Sequence, residues 1–68
     1  SQYIQMAMDY VPENFRIGQM RAEYKQQARL HDVICPQKSV ENDKVTVLLN
    51  DEGGSSYAVV EFTRVLPQ

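Results

Sequence analysis

Residues 45–67, VTVLLNDEGGSSYAVVEFTRVLP, set two apolar runs on either side of an acidic turn that carries two glycines. Val45-Thr-Val47-Leu-Leu49-Asn50 is rich in side chains that suit a pleated surface, and Ser56-Tyr-Ala-Val-Val-Glu-Phe62 has the same character. The spacing predicts strands over 45–50 and 56–62. Between them, Gly53 and Gly54 offer the positive φ angles that a hairpin reversal requires, while Asp51 and Ser55 can hydrogen-bond nearby backbone. The closing TRVLP reads as a tight turn followed by a short last strand.

The residues upstream follow the same grammar. In FRIGQMRAEY, 15–24, Phe15 and Ile17 precede Gly18, and Met20, Ala22 and Tyr24 then alternate with Gln19, Arg21 and Glu23. This is the period-two signature of a half-buried strand. KQQ, 25–27, reads as a polar turn. ARLHDVIC, 28–35, reads as a further strand stopped by Pro36, whose missing N–H cannot serve a central ladder, and PQKSVENDK reads as a loop. At the N-terminus Tyr3, Met6, Ala7 and Tyr10 would share a helical face, whereas Ile4, Met6, Met8 and Tyr10 alternate as a strand would. We take this segment as a helical turn ending at Val11, before Pro12.

Four or five short strands with brief connections predict an all-β fold, a meander curled into a small barrel that removes most exposed edges. Its expected core is Phe15, Ile17, Met20, Ala22, Ile34, Val45, Val47, Leu49, Ala58, Val60 and Leu66. At 68 residues the chain has room for one core, because a domain of this size buries only about 60% of its unfolded surface. The hydrophobic fraction of 43% and charged fraction of 24% argue against disorder.

Charge restricts the partners. The net charge is −2, and the acidic excess falls after residue 34. Lys and Arg are spread singly among acids, which disfavours binding to a phosphate backbone. Cys35 is the single cysteine, so an internal disulfide is excluded and a reducing compartment is expected. No apolar run approaches the roughly 20 residues of a membrane span. Ser1 and Gln68 read as the edges of a module cut from a longer chain.

HDVIC invites a Cys-His-Asp hydrolase reading, with Cys35 as nucleophile, His31 as base and Asp32 as orienter. On a strand, however, His31 and Cys35 lie about 13 Å apart, beyond the reach such a pair needs. One Cys and one His are too few for a structural zinc site. No catalytic residue, metal or cofactor is therefore assigned. Asp32 is an oddity, since a carboxylate on the face of Leu30 and Ile34 needs a partner, Arg21 or Arg29, or an exposed position.

FRIGQMRAEY, ARLHDVI, VTVLLNDEG and YAVVEFTRVLP, in that order, resemble the successive strands of a Tudor domain. The pattern is hydrophobic-x-hydrophobic-Gly, an aromatic, a strand ending in Ala-x-Ile, where this chain has Asp32 in place of the Ala, Val-x-Val and a closing Leu-Pro. The resemblance covers residues 15–67, leaving 1–14 as an N-terminal extension, and implies an SH3-like barrel. Val45-Thr-Val47, Asp51-Glu52, Tyr57-Ala-Val59 and Arg64-Val-Leu66-Pro67 are most similar to the Tudor modules of ovarian tumour (Otu) deubiquitinases. That similarity implies a non-catalytic protein-interaction module in a cytoplasmic cysteine deubiquitinase of the ubiquitin pathway, acting in oogenesis and germline RNA granules. The protease domain would lie elsewhere in the parent chain.

Tudor readers hold methylated lysine or arginine in a box of aromatic rings. Mapped onto this chain, the first ring is Tyr24, but the second falls at Leu30, the third at Leu48 or Leu49 and the fourth at Asp51 or Glu52. The cage implied is incomplete. The candidate partner-binding residues are therefore Tyr24, Leu30, Leu48, Asp51, Glu52 and Tyr57, facing a protein or peptide partner whose arginine the carboxylates could accept. Two alternatives remain: a small barrel that contacts RNA, and a methyl-arginine reader whose rearranged cage adds Tyr57 and Phe62 to Tyr24.

Overall fold

The computed structural model describes residues 2–66. One short helix, α1 (Gln2–Met8), precedes four strands, β1 (Ile17–Tyr24), β2 (Cys35–Val40), β3 (Lys44–Asn50) and β4 (Ser56–Arg64). All strand pairs are antiparallel, in the order β1-β4-β3-β2. The expected small all-β architecture, with four strands and a short N-terminal helical element, is present, and the sheet stays open.

The β3–β4 hairpin forms where its alternation predicts. The register sets Val45 opposite Phe62, Val47 opposite Val60 and Leu49 opposite Ala58. All six side chains lie on one face, because alternate residues of a strand point the same way, and none of them is exposed to solvent. The turn closes on itself: Asp51 N–H donates to Ser55 O at 2.7 Å and Gly54 N–H donates to Asp51 O at 3.2 Å. Gly54 adopts φ 94°, a left-handed conformation that costs glycine nothing.

Helix α1 packs on β3 and β4, with Ala7 fully buried and Tyr3 and Val11 partly buried against the same core. Phe15 is buried too, with the Arg64 guanidinium 4.9 Å above its ring in a cation–π contact. Gly18 marks a bulge in the pairing of β1 with β4. A Cβ there would stand 3.0 Å from the Cα of Val65, so a side chain at residue 18 would require the neighbouring Val65 backbone to shift by a few tenths of an ångström.

Three sequence expectations are corrected. First, 28–35 is not a strand. Asp32 Oδ2 accepts the Arg29 N–H at 2.8 Å while Asp32 N–H donates to Arg29 O at 3.0 Å, and His31 is turned to φ 74°. That conformation is incompatible with a ladder. The strand instead begins at Cys35 and runs through Pro36 and Lys38, where a loop was expected. Pro36 is tolerated because β2 is an edge strand. Second, the strands do not form a simple meander, since β1 pairs with β4 and the 25–34 connection crosses to the opposite edge. Third, β4 continues to Arg64 and no separate final strand follows among the described residues, and Val65 N–H donates to Arg16 O at 2.8 Å. Pro67, the end of the expected closing motif, lies outside the described residues.

The core list changes accordingly. Met20 and Ala22 face the same way as Phe62 and Val60 but lie on an edge strand, and with Ile17 they are exposed. Leu66 is exposed and Ile34 half-buried. Ala7, Tyr57 and Phe62 enter the core instead.

Candidate functional site

The 25–34 connection is fastened to the rest of the molecule by a few polar contacts. Lys25 and Gln26 N–H groups both donate to Tyr57 O, at 2.8 and 3.3 Å. The Gln26 side-chain amide donates to Asp51 Oδ2 at 3.3 Å and to Ser56 O at 3.4 Å. Ala28 N–H donates to the Tyr3 hydroxyl at 3.1 Å, and the Tyr57 hydroxyl donates to Asp32 Oδ2 at 3.2 Å. Helix, connection and hairpin turn therefore meet around two phenols and two carboxylates.

Between the connection and the turn lies an open cleft lined by Gln26, Ala28, Leu30, Asp32, Asp51 and Tyr57, among others. A second hollow on the far side of the connection is lined by Tyr3, Met6, Tyr24, Leu30, His31 and Ile34, among others. Leu30 contributes to both and is the most exposed large apolar side chain, at 87%. The rings of Tyr3 and Tyr24 are 5.8 Å apart and tilted by 40°, an ordinary aromatic pair geometry.

The electrostatics follow from these contacts. Asp51 Oδ1 accepts the N–H groups of Gly53 and Ser55, both at 2.9 Å. The Ser55 N–H foremost, then Gln26 and the glycine N–H groups, hold its carboxyl below the usual range against the opposing pull of desolvation. So the turn chiefly grips itself. Burial, followed by the hydrogen bond to Asp32 and the charges of Asp32 and Asp51, raises the Tyr57 pKa and keeps its phenol a donor. Asp32 is exposed, and its partners are the Arg29 N–H and the Tyr57 phenol, not a guanidinium. Its Oδ1 carries no hydrogen bond among the described residues.

Of the sequence-predicted residues, Leu30, Asp51 and Tyr57 line the cleft, and Tyr24 lines the second hollow with Leu30. Leu48 lies apart, half-buried in β3 opposite Val59, and Glu52 is exposed at the turn tip. Phe62 is wholly buried and cannot join a cage at the surface. Tyr57 is also buried, with its hydroxyl turned to the cleft. The ring beside Tyr24 is Tyr3, which sequence reasoning left in the extension because nothing local links the two positions. Gln26 and Asp32 were also missed as site residues. An Asp three positions after Arg29 is a turn-forming signal that strand alternation outvoted.

The strand spacing used to separate His31 from Cys35 does not apply, since the intervening residues are turn and coil. Cys35 is an exposed free thiol at the start of β2. Among the described residues, no group of three or more His, Cys, Asp or Glu is placed to hold a metal ion, and no helix is long and apolar enough to cross a membrane. Comparison of the chain with protein-family models, with curated proteins and with solved structures found no match.

Proposed function

We propose that this chain is a non-catalytic protein-interaction module of Tudor type that takes an arginine-bearing segment of a protein partner into the cleft between the 25–34 connection and the β3–β4 turn. The observation carrying this reading is the grouping of Asp32, Asp51 and the Tyr57 phenol on one cleft. Guanidinium is planar, permanently charged and able to donate to two acceptors at once, and Asp32 Oδ1, which has no hydrogen bond among the described residues, is an acceptor for it. The contact is solvent-accessible and therefore weak by itself, so affinity must come from flanking residues laid over Leu30 and the Tyr3–Tyr24 pair.

The parent protein in this reading is a cytoplasmic, ovarian-tumour-type cysteine deubiquitinase of germline RNA granules. The module positions a partner, and hydrolysis belongs to another domain. What supports the parentage is the resemblance in the strand motifs alone.

An arginine peptide titrated into the labelled chain is expected to shift the amides of Gln26–Asp32 and of Asp51–Ser55. Asp32→Asn should weaken the response several-fold, and lysine in place of arginine should weaken it further. No amide shift at millimolar peptide would remove the proposal. The Tyr3–Tyr24 pair favours a second reading, a methyl-arginine reader whose rearranged cage uses Tyr3 in place of Phe62. In that case dimethylated peptide binds better than unmodified peptide, and Tyr3→Ala abolishes the difference. Single-stranded RNA is disfavoured by charge. Binding that weakens steeply with salt would favour RNA over both peptide readings.

A further inference from the structure

The two edges of the open sheet differ. Glu41 N–H donates to Lys44 O, which places the ladder bonds of β2 with β3 at odd-numbered residues. Pro36, Lys38 and Val40 therefore direct their backbone polar positions outward. Pro36 has no N–H to offer and Lys38 brings a charge, two devices that blunt an edge. On β1, Lys25 N–H donates to Tyr57 O, and by the continuous register from Gln19 to Tyr24 the inward bonds fall at odd residues there as well. The N–H and C=O groups of Met20 and Ala22 then face outward, on a strand whose eight residues are all exposed.

The sequence of this second edge is complementary to itself. When β1 is laid antiparallel on a copy of itself with Ala22 opposite Ala22, Arg21 of each copy faces Glu23 of the other, and Met20 of each faces Tyr24 of the other. The phase is also correct. Ala22, with outward backbone groups, takes the hydrogen-bonded position, and Arg21 and Glu23 take the non-hydrogen-bonded positions where side chains approach most closely. Shifting the pairing by one step in either direction that keeps this phase sets Arg21 against Arg21 or Glu23 against Glu23, and like charges directly opposite are destabilising.

We infer that the β1 edge is a homodimerisation site, at which two copies pair β1 to β1 around Ala22 and continue into one eight-stranded antiparallel sheet. The symmetry is two-fold and the interface isologous, so each contact occurs twice. Met20 and Tyr24 extend the apolar face across the junction with a sulfur–aromatic contact. Glu23, already paired with Lys25, lies between two cations in the dimer. An interface of one strand per copy falls below the area of standard stable complexes, so the dimer is weak and concentration-dependent. This inference does not depend on the proposed cleft ligand.

Sedimentation of the 68-residue chain from micromolar to millimolar concentration should show reversible monomer–dimer exchange. Arg21→Glu and Glu23→Arg should each weaken the dimer about tenfold or more, because two attractive pairs become two repulsive ones. The combined Arg21→Glu/Glu23→Arg variant should recover the original affinity. Ala22→Pro, whose lost N–H is an outward one not used in the pairing with β4, should also give a monomer, with thermal melts verifying that each variant is folded. A chain that stays monomeric throughout would overturn the inference. So would a dimer indifferent to Arg21→Glu, failure of the swapped variant to recover, or a monomer whose β1 amides are protected only by an added extended peptide.

Discussion

As sequences, VTVLLN and ARLHDVIC are comparably strand-like, yet the first sits in the buried centre of the sheet and the second is broken by a turn at Leu30–His31. The difference lies in what each finds within reach. Val45–Asn50 is followed by a turn that satisfies its own backbone through Asp51, and by a second strand whose apolar positions meet its own in register. Residues 28–34 have no such neighbour, since β1 is committed to β4 and the connection must cross the molecule. Without a ladder, local side-chain capture of backbone prevails, and Asp32 takes the Arg29 N–H.

The comparison breaks most sharply in the hairpin. Phe62→Ala removes a fully buried ring and should cost about 3–5 kcal/mol. That is a large share of the roughly 5–15 kcal/mol available to a domain. Denaturant titration should show loss of the whole cooperative transition, and a cost near zero would mean that the hairpin does not organise the core.

In the connection, Asp32→Ala removes the acceptor of the Arg29 N–H and the Tyr57 hydroxyl. The expected cost is about 1 kcal/mol, with amide exchange accelerated at 25–34 and unchanged in β3 and β4. Exchange that rose equally in the hairpin would merge the two regions into one cooperative unit.

The turn carries a pH signature. Asp51 is held below its ordinary titration range by the Ser55 N–H and its neighbours, so its stabilisation is complete above the unfolded carboxylate pKa. It is lost as the pH falls through the lower, folded value. Asp51→Asn keeps an acceptor oxygen but not the charge, and should flatten the acid limb of a stability–pH profile by lowering its neutral plateau toward the acid value. Smallest of all, Leu30→Ala at an 87% exposed position should change stability by no more than about 0.5 kcal/mol. Its effect should appear only in peptide affinity.

Legibility in the sequence tracked how local the causes were. The placement of Asp51 and Tyr57 on a hairpin could be read because that hairpin is specified by adjacent residues. Their meeting with Asp32 and Gln26 could not, for it joins positions some 25 residues apart. Leu48 was assigned to the site by motif position, but the sheet turns it toward Val59.

From the residues alone came the hairpin, the turn's self-contained hydrogen bonding, the all-β class and the helical N-terminus. Each depends on side-chain alternation or on backbone capture within a few positions. Only the tertiary structure decided that β1 pairs with β4, that Tyr3 comes to lie beside Tyr24, that Met20 and Ala22 stay in solvent, and that the sheet ends in one blunted and one complementary edge. Strand partnership is settled by which apolar faces a small core has room to cover, and a linear pattern does not carry that information.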